Sequence, residues 1–234
     1  MEEIIIGSIA MSLHRKAIKN LHISVLPPDG RVRVSVPEHM SDRAIRMAVI
    51  SRIPWIKKQQ RDFALQHRQS MREMVSGESH YLWGKRYRLE VIEARGKHQM
   101  LVNHDRLQLY INPNTTRDNR QKVVQKFYRD AVNKELPALM QKWSKRLGLT
   151  LPTWHVRRMR TIWGSCNREA ERILINSELA KKPFECLEYI VVHELIHLIE
   201  RLHNDRFRSL LDEYLPDWRE RRALLKKMPL SEEN

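Results

Sequence analysis

The segment Val191-Val192-His193-Glu194-Leu195-Ile196-His197 sets two histidines four residues apart with a glutamate beside the first, the pattern H-E-x-x-H. Pro183 stands upstream, and proline suits the first turn of a helix, so the segment is expected on a helix that opens there. Residues four apart on a helix lie one turn above each other, so the His193 and His197 imidazoles can converge on one ion with Glu194 alongside. At this chain's histidine and glutamate frequencies the pattern arises by chance about 0.04 times, so its presence is informative. Its neighbours agree: Leu187, Ile190, Val191, Val192, Leu195 and Ile196 make the helix apolar nearly all round, as buried helices are. Two histidines and a carboxylate in such a place are costly unless something satisfies them, and a divalent cation does so directly. A self-contained hydrogen-bonding cluster of the same residues is the bland alternative.

A catalytic zinc takes three protein ligands and keeps a fourth position for water. His203 extends the pattern to H-E-x-x-H-x5-H. Unbroken helix from His193 would rotate His203 roughly 80° out of line, at about 100° per residue, so the helix must stop near Glu200 and the chain turn back. Asn204 suits a left-handed position in that turn, and Asp205 suits the cap of a following helix from Arg206 through Tyr214. Glu213 and Glu220 are rival third ligands; His203 is preferred because imidazole suits zinc and the offset recurs in zinc hydrolases. Glu194 is the candidate general base, taking the proton of a water that attacks an electrophile and passing it to the leaving group. Asp205 or Glu200 is the candidate for orienting a ligand imidazole.

Outward from this segment, the chain divides by composition. His22–Leu26 and Arg31–Val36 alternate with period two around Pro27-Pro28-Asp29-Gly30 and predict a hairpin. Ser41-Asp42 opens a helical pattern that Pro54 should kink or split. Tyr87–Val91 and Leu107–Ile111 read as further antiparallel strands. The composition changes at Asn112-Pro113-Asn114, which sets an expected boundary between a β-rich N-terminal region (1–113) and a metal-hydrolase core (114–234). The core begins with a long amphipathic helix bent at Pro137 and stopped at Gly148, followed by strands over Trp154–Trp163 and Arg172–Asn176.

Composition excludes several classes. The 234 residues include only two cysteines, Cys166 and Cys186, too few for a disulfide scaffold or a four-cysteine knuckle. The seven glycines are never closer than Gly77 and Gly84, so neither G-x-G-x-x-G nor a P-loop can be drawn. The formal charge is +15, which favours acidic substrates, anionic lipid or nucleic acid on a basic surface, or is simply a cationic solvated exterior. The apolar run Ile4–Met11 follows Glu2 and Glu3 and is too short to span a bilayer, so a cytoplasmic protein with no membrane partner is expected.

Taken together, Trp163-Gly164-Ser165-Cys166, Ile173-Leu174-Ile175-Asn176-Ser177-Glu178-Leu179, Tyr189 through His197, and His203 with Phe207 resemble the YgjP-like metal-dependent hydrolases, zincins similar to the SprT and WLM domains. The likeness is strongest from Leu151 to Leu225 and extends upstream through Trp55-Ile56 and Gly77 to Tyr87. It implies an α+β fold with a minimal zincin-like core: the H-E-x-x-H helix packed on a long helix and a small antiparallel sheet, preceded by the β-rich region. It also implies His193, His197 and His203 as zinc ligands, Glu194 as catalytic acid/base, and a metallopeptidase as the usual activity.

The leading expectation is therefore a zinc metallopeptidase acting on a peptide or protein. A nucleoside triphosphate pyrophosphatase at the same metal site is the alternative, and a nucleic-acid-associated module with a structural metal is a third. Cys166 reads as a small buried side chain rather than a fourth ligand. Arg157, Arg158 and Arg160 either favour acidic substrates, if their strand lines the cleft, or guard a sheet edge. Trp83, Trp143 and Trp218 read as core.

Overall fold

The computed structural model describes residues 2–26, 30–65 and 72–227, which form an α+β chain dividing into two compact units between Ser70 and Met71. In the first unit, β1 (Glu2–Ile6), β2 (Ile9–Lys16), β3 (His22–Leu26) and β4 (Arg31–Pro37) make a sheet of order β1-β2-β4-β3. The apolar N-terminal run is thus a hairpin, with Gly7 at φ 63° in its turn. Alternation puts Met11, Leu13, Val32, Val34 and Val36 on one face, in one core with Ile45 and Val49 of α1 (Asp42–Ile50) and Ile56 of α2 (Ile53–Leu65). Ser41 caps α1 by accepting from the Ala44 N–H, and Pro54 falls in the first turn of α2, so the helical pattern is split as expected. β3 and β4 pair antiparallel as predicted; the expected turn residues 27–29 lie outside the described residues.

The second unit opens with β5 (Ser79–Leu82), β6 (Lys85–Glu93), β7 (Gln99–Asn103) and β8 (Arg106–Ile111), ordered β5-β6-β8-β7. This repeats the first sheet's topology: two hairpins joined through their second strands. The joining strands β6 and β8 are parallel, where the sequence predicted antiparallel neighbours, because each is the inner strand of its own hairpin. Leu89, Leu107, Leu109 and Ile111 share one core with Val124, Tyr128, Val132 and Leu136 of α3 (Arg117–Arg146). The boundary expected after residue 113 is accordingly a turn, with Asn114 at φ 61°, between a sheet and the helix it packs on. The chain divides instead near residue 70. α3 continues through Pro137 to Arg146 and is capped by Leu147, with Gly148 at φ 66°.

β9 (Thr153–Arg157), β10 (Gly164–Asn167) and β11 (Arg172–Asn176) form a sheet of order β10-β11-β9. It is mixed, not antiparallel: β10 and β11 are a hairpin, but β9 lies parallel to β11, because the chain leaves β9, crosses to the far edge and returns through the centre. The strand expected over Trp154–Trp163 stops at Arg157. Asn176 holds the crossing segment: its buried side chain accepts from the Met159 and Glu178 N–H groups (3.2 and 3.1 Å) and donates to the Met159 and Ile162 carbonyls (both 2.8 Å).

A 3-10 turn, Ser177–Lys181, leads to α4 (Phe184–Ile199), followed by α5 (Asp205–Tyr214) and α6 (Trp218–Lys227). The start of α4 is set by the β5–β6 hairpin. Its turn residues Trp83 and Gly84 both have positive φ (50° and 80°), and a Cβ on Gly84 would stand 2.9 Å from Pro183 Cγ. Trp83 packs edge-on against Phe184, and its N–H donates to the Ala180 carbonyl at 2.7 Å. Further along α4, Glu188 accepts from Lys142 (2.7 Å) and the Trp143 indole (3.0 Å) of α3 and from Arg221 (2.7 Å) of α6. Trp143 and Trp218 are buried in the core, and Trp83 is half-buried against it.

Candidate metal centre

α4 brings His193 and His197 to one face, and the chain then leaves the helix at Glu200, in extended conformation (φ −128°, ψ 117°). Asn204 is not left-handed, as the sequence suggested, but extended. It is the cap of α5, accepting from the Phe207 N–H at 3.0 Å, and Asp205 is the first helical residue. The reversal carries His203 back over α4: its Nε2 lies 3.0 Å from His193 Nε2 and 3.1 Å from His197 Nε2. Phe207, one turn further on, is buried against all three imidazoles, with ring centroids 4.7 to 5.0 Å away.

The donor set fits a divalent cation. A carbonyl can only accept, so the contact of His197 Nδ1 with the Glu200 carbonyl at 3.1 Å places that ring's proton on Nδ1 and leaves Nε2 a bare lone pair aimed at the cluster. Nitrogens separated by 3.0 to 3.1 Å also approach the ~3.3 Å edge of a tetrahedron with bonds of about 2.0 Å. His193 Nδ1 is buried and meets no partner among the described residues; its ring is packed edge-on by Tyr189 and Phe207 instead. Burial first, then the other two histidines and Arg222, depresses the His193 pKa to about 3, and burial also lowers that of His197, so both imidazoles are neutral, the form that ligates metals.

Glu194 projects from the same helix toward β10. A Cβ added to Gly164 would stand 2.6 Å from Glu194 Oε1 and 2.8 Å from its Cγ, so any side chain here must displace the Glu194 carboxyl, for reasons of approach rather than backbone conformation. Glu194 is 5% exposed, no hydrogen bond reaches its carboxyl from the described residues, and burial pushes its pKa up to about 8. A cleft of about 1140 Å³ runs past these groups, bounded by β10, by His193, Glu194 and His197, and by Arg168 and Arg201.

The three histidines are the group of potential metal-binding side chains found among the described residues; Glu213 and Glu220 do not join them. Glu220 borders a separate cavity with Glu185 and Asp217. Asp205 pairs with Arg208 in solvent (2.7 Å), and Glu200 serves His197 by its carbonyl while its carboxylate accepts from the Leu202 N–H at 3.1 Å. Cys166 borders the cleft half-buried, with burial and then Glu194 raising its thiol to about 11. The arginine-bearing strand β9 is the edge of the sheet away from the cleft, and Arg158 pairs with the buried Glu178 at 3.6 Å. Sequence reasoning did not assign the roles of Gly164, Asn176 and Glu188. Gly164 carries no sequence signal of its own, whereas Asn176, a polar residue closing the apolar strand Arg172–Asn176, is a readable one.

No described helix is long and apolar enough to cross a membrane. A comparison with curated proteins found no significant match. The model of the YgjP-like family, a metallopeptidase domain, matches residues 19–228: it starts after the β1–β2 hairpin and takes in the sheet edge at Gly164 and the whole histidine cluster. The chain belongs to the YgjP-like metallopeptidase domain family.

Proposed function

We propose that this chain is a zinc-dependent peptidase of the zincin type, with α4, α3 and the sheet β10-β11-β9 as its catalytic core. His193, His197 and His203 are the ligands in this reading and Glu194 is the general base and acid. The observation that carries it is the convergence of three Nε2 atoms, two of their separations 3.0 and 3.1 Å, beside a buried carboxyl that has no other partner among the described residues. Family membership supports it independently.

When bound, the cation supplies Lewis acidity, which brings the pKa of a water toward neutrality and polarises the substrate carbonyl. The remaining work belongs to the chain. With a cation beside it favouring the ionised form against the burial that pushes its pKa up to about 8, Glu194 takes a proton from the attacking water on a carboxylate oxygen and delivers it to the leaving amine nitrogen. The Glu200 carbonyl holds the His197 ring in the tautomer that presents Nε2. Phe207 packs against all three imidazoles and fixes their planes. Gly164 leaves the carboxyl room beside the strand.

The test is metal content by plasma mass spectrometry together with cleavage of a peptide library. About one zinc per chain, lost in both His197→Ala and His203→Ala, is expected. Glu194→Gln should keep the metal while peptide cleavage falls about 10²- to 10⁴-fold. Zinc retained in His203→Ala moves the third ligand elsewhere. Release of pyrophosphate or phosphate from nucleoside triphosphates without cleavage of any peptide overturns the choice of bond.

A further inference from the structure

A second cavity, of about 360 Å³, shares His193 and His203 with the cleft but none of β10. That volume lies at the small end of ligand pockets and suits one residue of a substrate. Its walls include Tyr189, Phe207 and Trp218, and Arg208 and Arg222 border it. The aromatic walls are held in place. Tyr189 and Trp218 stack with centroids 6.5 Å apart and planes 12° from parallel, and the Trp218 indole donates to Asp212 at 2.7 Å.

The cations differ in what they are committed to. Arg208 donates to Asp205 (2.7 Å) and to the His203 carbonyl (3.3 Å). On α6, Arg219 pairs with Asp212, and Arg221 pairs with Glu188 (2.7 Å) and Asp217 (2.8 Å). Arg222 meets no carboxylate among the described residues and lies over the Trp218 ring at 6.0 Å. An aromatic chamber with one uncommitted guanidinium at its border matches a ligand with an apolar body and a single anionic group. A triphosphate brings several charges and would need more than one such cation.

We propose that this cavity is a substrate subsite for a residue bearing a carboxylate, which Arg222 receives beside the histidine cluster. The inference rests on the peptidase reading above. The carboxylate has two sources, a chain's C-terminal α-carboxylate or an Asp or Glu side chain next to the cleaved bond.

Calorimetry on chelator-stripped protein tests the site without any turnover. The probes are 3-phenylpropionate, 3-phenylpropanamide and phenyl phosphate. The acid should bind at least about tenfold more tightly than the amide, Arg222→Met should abolish that preference, and Lys226→Ala, a charge-matched change on the same helix, should keep it. Equal binding of acid and amide overturns the proposal, as does a preference that survives Arg222→Met or tighter, Arg222-dependent binding of phenyl phosphate. With metal restored, matched peptides (C-terminal acid against amide, internal Glu against Gln) separate the sources: the pair whose KM contrast vanishes in Arg222→Met identifies the carboxylate. A contrast in neither pair, with cleavage intact, overturns the subsite alone. Arg222-dependent carboxylate binding with no cleavage of any peptide leaves the subsite standing and sinks the peptidase reading.

Discussion

β10 and β9 are the two edges of one three-stranded sheet, and they carry opposite kinds of residue. β9 ends in Arg157 and leads into Arg158 and Arg160, the residues that draw the eye in a chain of charge +15. β10 is Gly164-Ser165-Cys166-Asn167, small and nearly uncharged, yet this is the edge that borders the cleft. The physical difference is space. Glu194 reaches β10 so closely that a single methyl group at Gly164 would overlap its carboxyl, whereas β9 carries the exposed Arg157, an edge charge of the kind that commonly discourages a second strand from pairing. A site built by close approach is marked by the side chain that is missing.

The strongest way to break this comparison is Gly164→Ala. Displacing the Glu194 carboxyl by about 1 Å should lower kcat/KM roughly 100-fold or more while metal content stays unchanged. Activity within about threefold of the parent would show that the close approach is incidental.

Next comes the residue that carries the chain from one edge to the other. Asn176→Ala removes four hydrogen bonds, three of them buried, and leaves groups of Met159, Ile162 and Glu178 without that partner, so urea unfolding should show a loss on the order of 3 kcal/mol. A loss below about 1 kcal/mol would mean that water reaches the crossing segment and that β10 is not held from that side.

Glu188 sharpens the comparison from the helix side, since it ties the helix that bears Glu194 to α3 and α6. Burial pushes its carboxyl up, but hydrogen bonds from Lys142, Arg221 and Trp143 outweigh this and bring the pKa down to about 2 from 4.5. A carboxylate depressed in the fold contributes stability that is present above 4.5 and lost as the pH falls toward 2. Glu188→Gln should therefore flatten that part of the acid limb of the thermal midpoint. His80, whose burial lowers it to about 3 from 6.5, should still supply the loss that begins at higher pH. An unchanged limb below pH 4.5 would contradict the role given to Glu188.

The smallest effect is expected on the far edge. Arg157→Ala should leave both stability and kcat/KM nearly unaltered, within about twofold, as exposed charges usually do. A marked rise in KM for acidic peptides would restore the arginine strand as a substrate surface.

Much of the centre was legible along the chain because its determinants are local. The four-residue spacing of His193 and His197, the proline that starts their helix and the need to stop it near Glu200 follow from helix geometry alone. The alternation of β3 and β4, the split at Pro54 and the end of α3 before Gly148 are equally short-range, whereas the β1–β2 hairpin was read only as an apolar run. What the sequence could not reveal is which segments meet. Whether neighbouring strands run parallel, which sheet edge borders the cleft, and that both four-stranded sheets share one order are decided by long-range pairing, which has no period in the sequence. For the same reason the meaning of Gly164, the reach of Asn176 and the place of Arg222 beside the second cavity emerged only when distant residues were brought together. A side chain's spacing records its own helix or strand, but its chemistry is set by what the rest of the fold places against it.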